Sequence, residues 1–427
     1  MILQREVLLQ SRQRVQVNVP EWFGQDRVAQ RYEEMLSDMG WEEISEIDET
    51  QPRRGRLPHP CRAYVGAFVV MTEQKLAGAA ALRAFLADHP ALVWLLAWRV
   101  VPDSGSAYGF DVERSLPTAD HLRTKFRTLD EAVLADAHRH TLKAAHQLMP
   151  ETGETVVIDT KHVYAYVKEN NPRAYVHERY NASQQPCGDH DCRLGFKPTH
   201  NQSRPGGRQG EWLWGYGSGV AVSPTCDGGS IVLADFTQPF NKADVSYALP
   251  LLRRATRQLG FAPVNLTADA AFDAWYVYEW VAKGHGWAAI ALNARGAAII
   301  HLSDDGRPLC HDQPMTLVSQ WQEKGCPRAC FRCLTCRKQR KMNLRPGNLL
   351  RWRTDRQSAE YKSRYRQRTC VERVNSQAHA LGIDRPFQRS QAAISRRNTL
   401  IYIVINLRTI RLYRKRHATR QGLLNAA

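Results

Sequence analysis

Tyr365, Arg368, Glu372 and His379 are the residues of this chain whose types and spacing most directly suggest chemistry. At about 100° per residue on a helix, their side chains fall within about 60° of one another, on a single face. A solvated charged face is the ordinary explanation of such a stripe. This one joins a carboxylate, which can hold a metal ion, to a guanidinium and a phenol suited to phosphate oxygens.

If Glu372 belongs to an acidic metal-binding set, its partners need rigid backbone beneath them. Two aspartates upstream close hydrophobic runs: Asp159 follows Thr155, Val156, Val157 and Ile158, and Asp269 follows Val264, Asn265, Leu266, Thr267 and Ala268. The pattern predicts strands over 155–166, 212–223, 230–236, 263–268 and 287–293, with helices over 241–258 and 273–283. An aspartate at a strand end is unremarkable alone; the order of elements around the pair gives it weight. The intervals are 110 residues from Asp159 to Asp269 and 103 from Asp269 to Glu372. The second exceeds what a strand and a helix require, so an insertion is expected there.

The spacing Y-x2-R-x3-E-x6-H resembles the Y-(2)-R-(3)-E-(6)-K signature of one branch of the DDE transposases of bacterial insertion sequences, with His379 where that branch has lysine. Asp269-Ala-Ala-Phe-Asp273 is similar to their D-x-G-Y-D stretch, with Ala271 for glycine and Phe272 for tyrosine. The resemblance covers roughly residues 150 to 415 and implies an α/β fold: an RNase H-like catalytic domain with a mixed five-stranded sheet flanked by helices. It implies catalytic Asp159, Asp269 and Glu372 holding two Mg²⁺ (or Mn²⁺) ions. Tyr365, Arg368 and His379 would bind DNA, His379 with a charge that depends on pH. The implied activity is metal-dependent strand cleavage and strand transfer at the inverted-repeat ends of an insertion sequence, by a homodimer in the DNA complex. A nuclease that cuts without joining and an inactive DNA-binding remnant are the alternatives.

Charge distribution independently points to a nucleic-acid partner. From Arg337 to Ala427 there are 23 Lys or Arg against 4 Asp or Glu, and the preceding 336 residues carry 36 against 38. The whole surplus of +17 therefore lies in the last fifth of the chain, as expected for salt-dependent attachment to phosphates. The apolar run Leu400 to Leu407 argues against a disordered tail for most of it, and only 416–427 reads as a frayed end.

Five of the ten cysteines, Cys310, Cys326, Cys330, Cys333 and Cys336, fall inside the expected insertion. In a cytoplasmic protein such clustering argues for metal rather than disulfides. The C-x3-C-x2-C-x2-C run leaves three readings: a structural Zn²⁺ on Cys326, Cys330, Cys333 and Cys336, with Cys310 or His311 replacing one of them; an iron–sulfur cluster; or no metal. Cys187, His190 and Cys192, in a polar excursion that also holds Gly206, Gly207 and Arg208, offer a weaker zinc candidate.

With 427 residues, 43% of them hydrophobic, the chain can bury a large core in two or three domains. Residues 1–150 read as a helical N-terminal domain, with helices over 28–39, 72–88, 91–101 and 118–148. The helix start at 118, with His121, Arg123, Lys125 and Arg127, suits either recognition of element ends or packing on the core. Arg54, Arg56 and Arg62 in a Pro-rich loop are equally open. The first part of the catalytic domain spans 151–300, the Cys-rich insertion 301–345, the catalytic and basic C-terminal helices 346–415, and a tail 416–427. No leader and no apolar run of about 20 residues is evident, so a cytoplasmic protein, free of membrane and bound to DNA at the nucleoid, is expected.

Overall fold

Burial on both faces of the first predicted strand sets the architecture. The computed structural model describes residues 24–37, 39–41, 44, 59–198, 209–293 and 299–426, with side chains to 419. In it β1 (Thr155–Tyr164) turns Val157 and Val163 into one hydrophobic cluster and Val156 and Ile158 into another. Successive side chains on a strand point to opposite faces, so an uninterrupted β-branched run needs cover on both sides.

On one edge of β1 lies β3 (Gly210–Pro224), antiparallel from Val157↔Val222 to Tyr164↔Gly215. On the other lies β5 (Asn265–Ala268), parallel from Thr155↔Asn265 to Ile158↔Ala268. β4 (Ser230–Pro239) pairs antiparallel with β3, and β6 (Ala288–Ile290) parallel with β5. The resulting sheet is mixed, with helices against both faces, and it has six strands rather than the expected five. The extra strand is β2 (Arg193–Pro198), which pairs with residues 210–215 at the start of β3. It comes from the polar excursion, where Gly195 and Pro198 hide so short a strand from pattern reading.

Cover on one side comes from helices between residues 27 and 137 and from the long C-terminal helix, whose hydrophobic residues share a single cluster with β1, β3 and β4. These helices are α1 (Arg27–Leu36), α2 (Cys61–Glu73), α3 (Ala79–Ala87), α4 (Pro90–Leu95), α5 (Val112–Ser115), α6 (Ala119–Thr128) and α7 (Glu131–Leu148). The helix expected over 72–88 is two, because the chain breaks at Lys75 (φ +57°) before α3 begins after Gly78. Much of what read as a Pro-rich loop near Arg62 is α2, while Arg54 and Arg56 lie outside the described residues. The helix expected over 91–101 stops at Leu95, and that over 118–148 divides at Asp130, whose carboxylate caps α7 by accepting from the Ala132 amide (2.9 Å). On α6, Leu122 and Phe126 are buried, His121 bonds the Tyr64 hydroxyl (3.0 Å) and Lys125 lies over the Tyr64 ring, which leaves Arg123 and Arg127 outward.

The other face of the sheet is covered by α8 (Ala248–Leu259) and α9 (Trp275–Lys283) together with the end of α7. The C-terminal α13 (Gln391–Ala426) buries Leu400 through Leu407 against β4. Asn406 on it accepts from the Val232 amide (2.7 Å) and donates to the Val232 carbonyl (2.9 Å), where the β3–β4 ladder is interrupted between Ala221 and Val222. The gap in the ladder is thus satisfied by a side chain.

Between β6 and the last four helices sits the insertion. A two-stranded ladder, β7 (Leu309–Cys310) with β8 (Gln313–Pro314), precedes a three-stranded antiparallel sheet, β9 (Thr316–Glu323), β10 (Cys326–Arg332) and β11 (Gln339–Asn343). The chain then returns through α10 (Pro346–Arg353), α11 (Ala359–Arg366) and α12 (Thr369–Ala380). Among the described residues no helix is long and apolar enough to cross a membrane.

Candidate active site and a cysteine–histidine cluster

Parallel pairing of β1 with β5 aligns Ile158 with Ala268, so the next residues, Asp159 and Asp269, leave neighbouring strands side by side. Strands in a sheet lie about 4.8 Å apart, which brings together two carboxylates separated by 110 residues of sequence. Asp269 caps the turn that follows it, accepting from the Ala271 amide (2.9 Å). Asp159 accepts a hydrogen bond from Asn375 Nδ2 on α12 (2.9 Å). Burial pushes the Asp159 carboxyl up to about 6; Arg368 opposes the shift and the nearby Asp269 charge adds to it.

A third aspartate, absent from the sequence reading, shares this electrostatic neighbourhood. Asp244 lies on the 3₁₀ turn before α8, and burial, followed by the charges of Asp269 and Asp159, raises its carboxyl to about 6. In sequence it sits near the start of a predicted helix, where acidic residues are ordinary, so no signal separated it from a helix-end acid.

The single helix expected to carry Tyr365, Arg368, Glu372 and His379 is broken. α11 ends at Arg366 and α12 begins at Thr369, with Gln367 and Arg368 held in a turn by hydrogen bonds to the carbonyls of Arg364 and Tyr365. Tyr365 therefore stays on α11, stacked on Tyr361 at 5.6 Å and 12°. Glu372 lies in the first turn of α12, where the helix dipole favours a carboxylate. The Arg368 guanidinium reaches between carboxylates, with Nη2 3.9 Å from Asp269 and Nη1 3.6 Å from Glu372. Those are ion-pair distances too long for hydrogen bonds, and the buried Arg368 Nε has no partner. The Arg368 guanidinium stands among the carboxylates of Asp159, Asp269 and Glu372.

His379, at the far end of α12, is exposed and bonds Asp384, which also pairs with Lys161 Nζ at 2.9 Å. Lys161 projects from β1 two residues beyond Asp159. With His162, Lys197, Asn375 and Arg385 these residues line a groove beside the carboxylates. Sequence reasoning named His379 and passed over Lys161, Lys197 and Arg385, which share the groove only because β1, β2 and the segment after α12 meet there.

Among the described residues, one group of three or more potential metal ligands has all its ligand atoms within 4.8 Å: Cys310, His311, Cys333 and Cys336. Two of the four cysteines expected to form a site are replaced. Cys326 and Cys330 lie along β10, which rises about 3.3 Å per residue, so the strand carries Cys326 roughly 20 Å from Cys333. The β7–β8 hairpin supplies Cys310 and His311 in their stead. Cys187, His190 and Cys192 form no such group: the Cys192 thiol bonds the Asp189 carbonyl (3.3 Å), and Cys187 is exposed. Gly206, Gly207 and Arg208 lie outside the described residues.

Asp273, last of the Asp269-to-Asp273 stretch, is fully buried and paired with Arg351 of α10 through Nε (2.8 Å) and Nη2 (2.6 Å). It also accepts from the Asn293 amide (2.8 Å) and the Tyr278 hydroxyl (3.1 Å). This pair fastens the chain returning from the insertion to the loop that carries Asp269.

No protein-family model and no curated protein matches the chain. Among solved structures it is similar to the piggyBac transposase in a synaptic complex with hairpin DNA, at a TM-score of 0.37 and 10% identity, over 94% of this chain and 74% of that one.

Proposed function

We propose that the chain is a DDE transposase with an RNase H-like catalytic domain, which cuts and joins DNA at the inverted-repeat ends of an insertion sequence. The observation that carries the reading is the register of β1 with β5: it sets Asp159 and Asp269 side by side, with Glu372 brought across from α12 through Arg368. The sheet order β4-β3-β1-β5-β6, with only β3 antiparallel to its neighbours, supports the RNase H-like assignment.

The donor set fits a hard divalent cation, since Asp159, Asp269 and Glu372 offer carboxylate oxygens and no thiol or imidazole. The Arg368 guanidinium lodged between Asp269 and Glu372 marks a place that favours positive charge. Two Mg²⁺ or Mn²⁺ ions held there would activate the attacking oxygen and stabilise the leaving one. Asn375 orients Asp159 by its hydrogen bond. Arg368, with long ion pairs and an unpartnered Nε, is poised to exchange carboxylates for a phosphate oxygen. Lys161, Lys197, His379 and Arg385 hold the DNA backbone along the groove, Tyr365 contacts it from α11, and the basic C-terminal segment adds sequence-independent attachment. Two element ends call for two active sites, hence a homodimer on DNA, acting in the cytoplasm.

The test is incubation of purified protein with labelled DNA bearing the flanking inverted repeats and Mg²⁺, comparing wild type with Glu372→Gln. Cleavage at the repeat boundary with strand joining, abolished in the variant while DNA binding persists, is the expected result. Cleavage without joining would make the protein a nuclease, and binding without cleavage by wild type would make it a DNA-binding remnant.

A further inference from the structure

The insertion sheet is poorly provided with core. Its hydrophobic cluster fully buries only Met315, Ala329, Phe331, Cys333 and Met342, and β9 lies exposed over most of its length. Three strands with so small an apolar face are marginal unless something else fastens them. The four ligand atoms of Cys310, His311, Cys333 and Cys336 gather at one end of this sheet.

Three of their six separations match the edges of a tetrahedron around one small ion, and all six are within 4.8 Å. With Zn–S about 2.3 Å and Zn–N about 2.05 Å, tetrahedral edges are about 3.8 Å between sulfurs and about 3.6 Å between sulfur and nitrogen. Observed are 3.7 Å for Cys310 Sγ to Cys336 Sγ, 3.4 Å for Cys310 Sγ to His311 Nδ1, and 3.7 Å for Cys333 Sγ to His311 Nδ1. The thiols are free, and 3.7 Å is far beyond a disulfide bond of about 2.05 Å.

The backbone is shaped to make this convergence. His311 and Asp312, between Cys310 and its pairing partner Gln313, both have positive φ (54° and 55°), which a two-residue hairpin turn normally reserves for Asn and Gly. Across from it, Cys333 to Cys336 closes a second tight turn, with the Arg337 amide on the Cys333 carbonyl (3.0 Å) and Arg337 at φ 61°. His311, Asp312 and Arg337 are thus all left-handed beside four converging ligands, a conformation uncommon beyond glycine that His and Asp tolerate better than Arg.

We propose that Cys310, His311, Cys333 and Cys336 bind one Zn²⁺ in a closed tetrahedral site that clamps the β7–β8 hairpin to the β10–β11 turn. Three thiolates and an imidazole leave no open position, so the site is structural. Ligand edges under 4 Å suit a single ion, which sets aside an iron–sulfur cluster. The proposal stands apart from the reading of the carboxylates, and its test needs no DNA.

Full-length protein without a polyhistidine tag, purified under reducing conditions, is assayed for metals by mass spectrometry. One zinc per chain is expected, retained in Cys326→Ser and lost in Cys310→Ser and in Cys336→Ser, whose thiol is exposed and whose loss leaves the core intact. Cobalt reconstitution gives a second reading: a tetrahedral visible spectrum with thiolate charge-transfer bands that weaken in Cys336→Ser. Wild type without metal and without a cobalt spectrum, bound iron in place of zinc, or equal loss of zinc in Cys326→Ser would each overturn the assignment.

Discussion

Replacing Arg351 with Met tests how the insertion is anchored to the main sheet and its helices. Asp273 has no exposed side-chain surface, and Arg351, itself largely covered, supplies the only charge among the described residues that pairs with it at hydrogen-bond distance. Removing the guanidinium leaves a buried carboxylate with two neutral donors, the Asn293 amide and the Tyr278 hydroxyl. Stranding one partner of a buried pair costs about 3–5 kcal/mol, whereas replacing both by apolar groups is often close to neutral. The expected pattern in urea denaturation is therefore a midpoint lowered by that loss divided by the slope in Arg351→Met, at an unchanged slope, with the Asp273→Leu/Arg351→Met double variant recovering most of the loss. Because Asp273 lies four residues after Asp269, the single variant should also weaken Mg²⁺ binding, and the double variant restores it only if the loop geometry returns. A single-variant loss below about 1 kcal/mol, or a double-variant loss equal to the sum of the singles, would refute the view that this pair is a buried, mutually dependent anchor.

Asp159 makes stability fall as pH rises in the metal-free protein. Its carboxyl goes from 3.8 to about 6 on folding, so its favourable contribution is full below about pH 4 and is lost as pH rises through 6, by at most about 3 kcal/mol. In the presence of a chelator, Asp159→Asn should flatten that part of the pH profile of the melting temperature, and Mg²⁺ should raise wild-type stability most above pH 6; a variant with the wild-type profile would refute the assignment. Lys161 reaches the groove from β1, so Lys161→Gln should weaken DNA binding and reduce the slope of log K against log salt by about 1; an unchanged slope would contradict a phosphate contact there.

How much of the site is legible in the sequence follows from how far each feature depends on local pattern. The hydrophobic runs before Asp159 and Asp269 identify strands, because β-branched residues side by side need burial on both faces, although β1 continues past Asp159 to Tyr164. The concentration of Lys and Arg after residue 336 and the crowding of cysteines in the insertion are properties of composition and need no fold to be seen. Other features depend on which segments meet. β2 is too short to announce itself and exists because the start of β3 offers it an edge. The break at Gln367 and Arg368 parts Tyr365 from Glu372 although helical spacing alone would unite them.

Asp244 joins the aspartates through the packing of a turn against β1, and Lys197 and Arg385 join the groove from separate parts of the chain. The cysteine cluster shows the contrast most sharply. By sequence alone, the near neighbours Cys326, Cys330, Cys333 and Cys336 look like one set. An extended strand separates residues by about 3.3 Å each while a hairpin turn brings distant ones into contact, so the tertiary structure exchanges Cys326 and Cys330 for Cys310 and His311. Local pattern determined which residue types and strand ends were available for chemistry; strand pairing and chain reversal, which no local period encodes, decided which of them share a site.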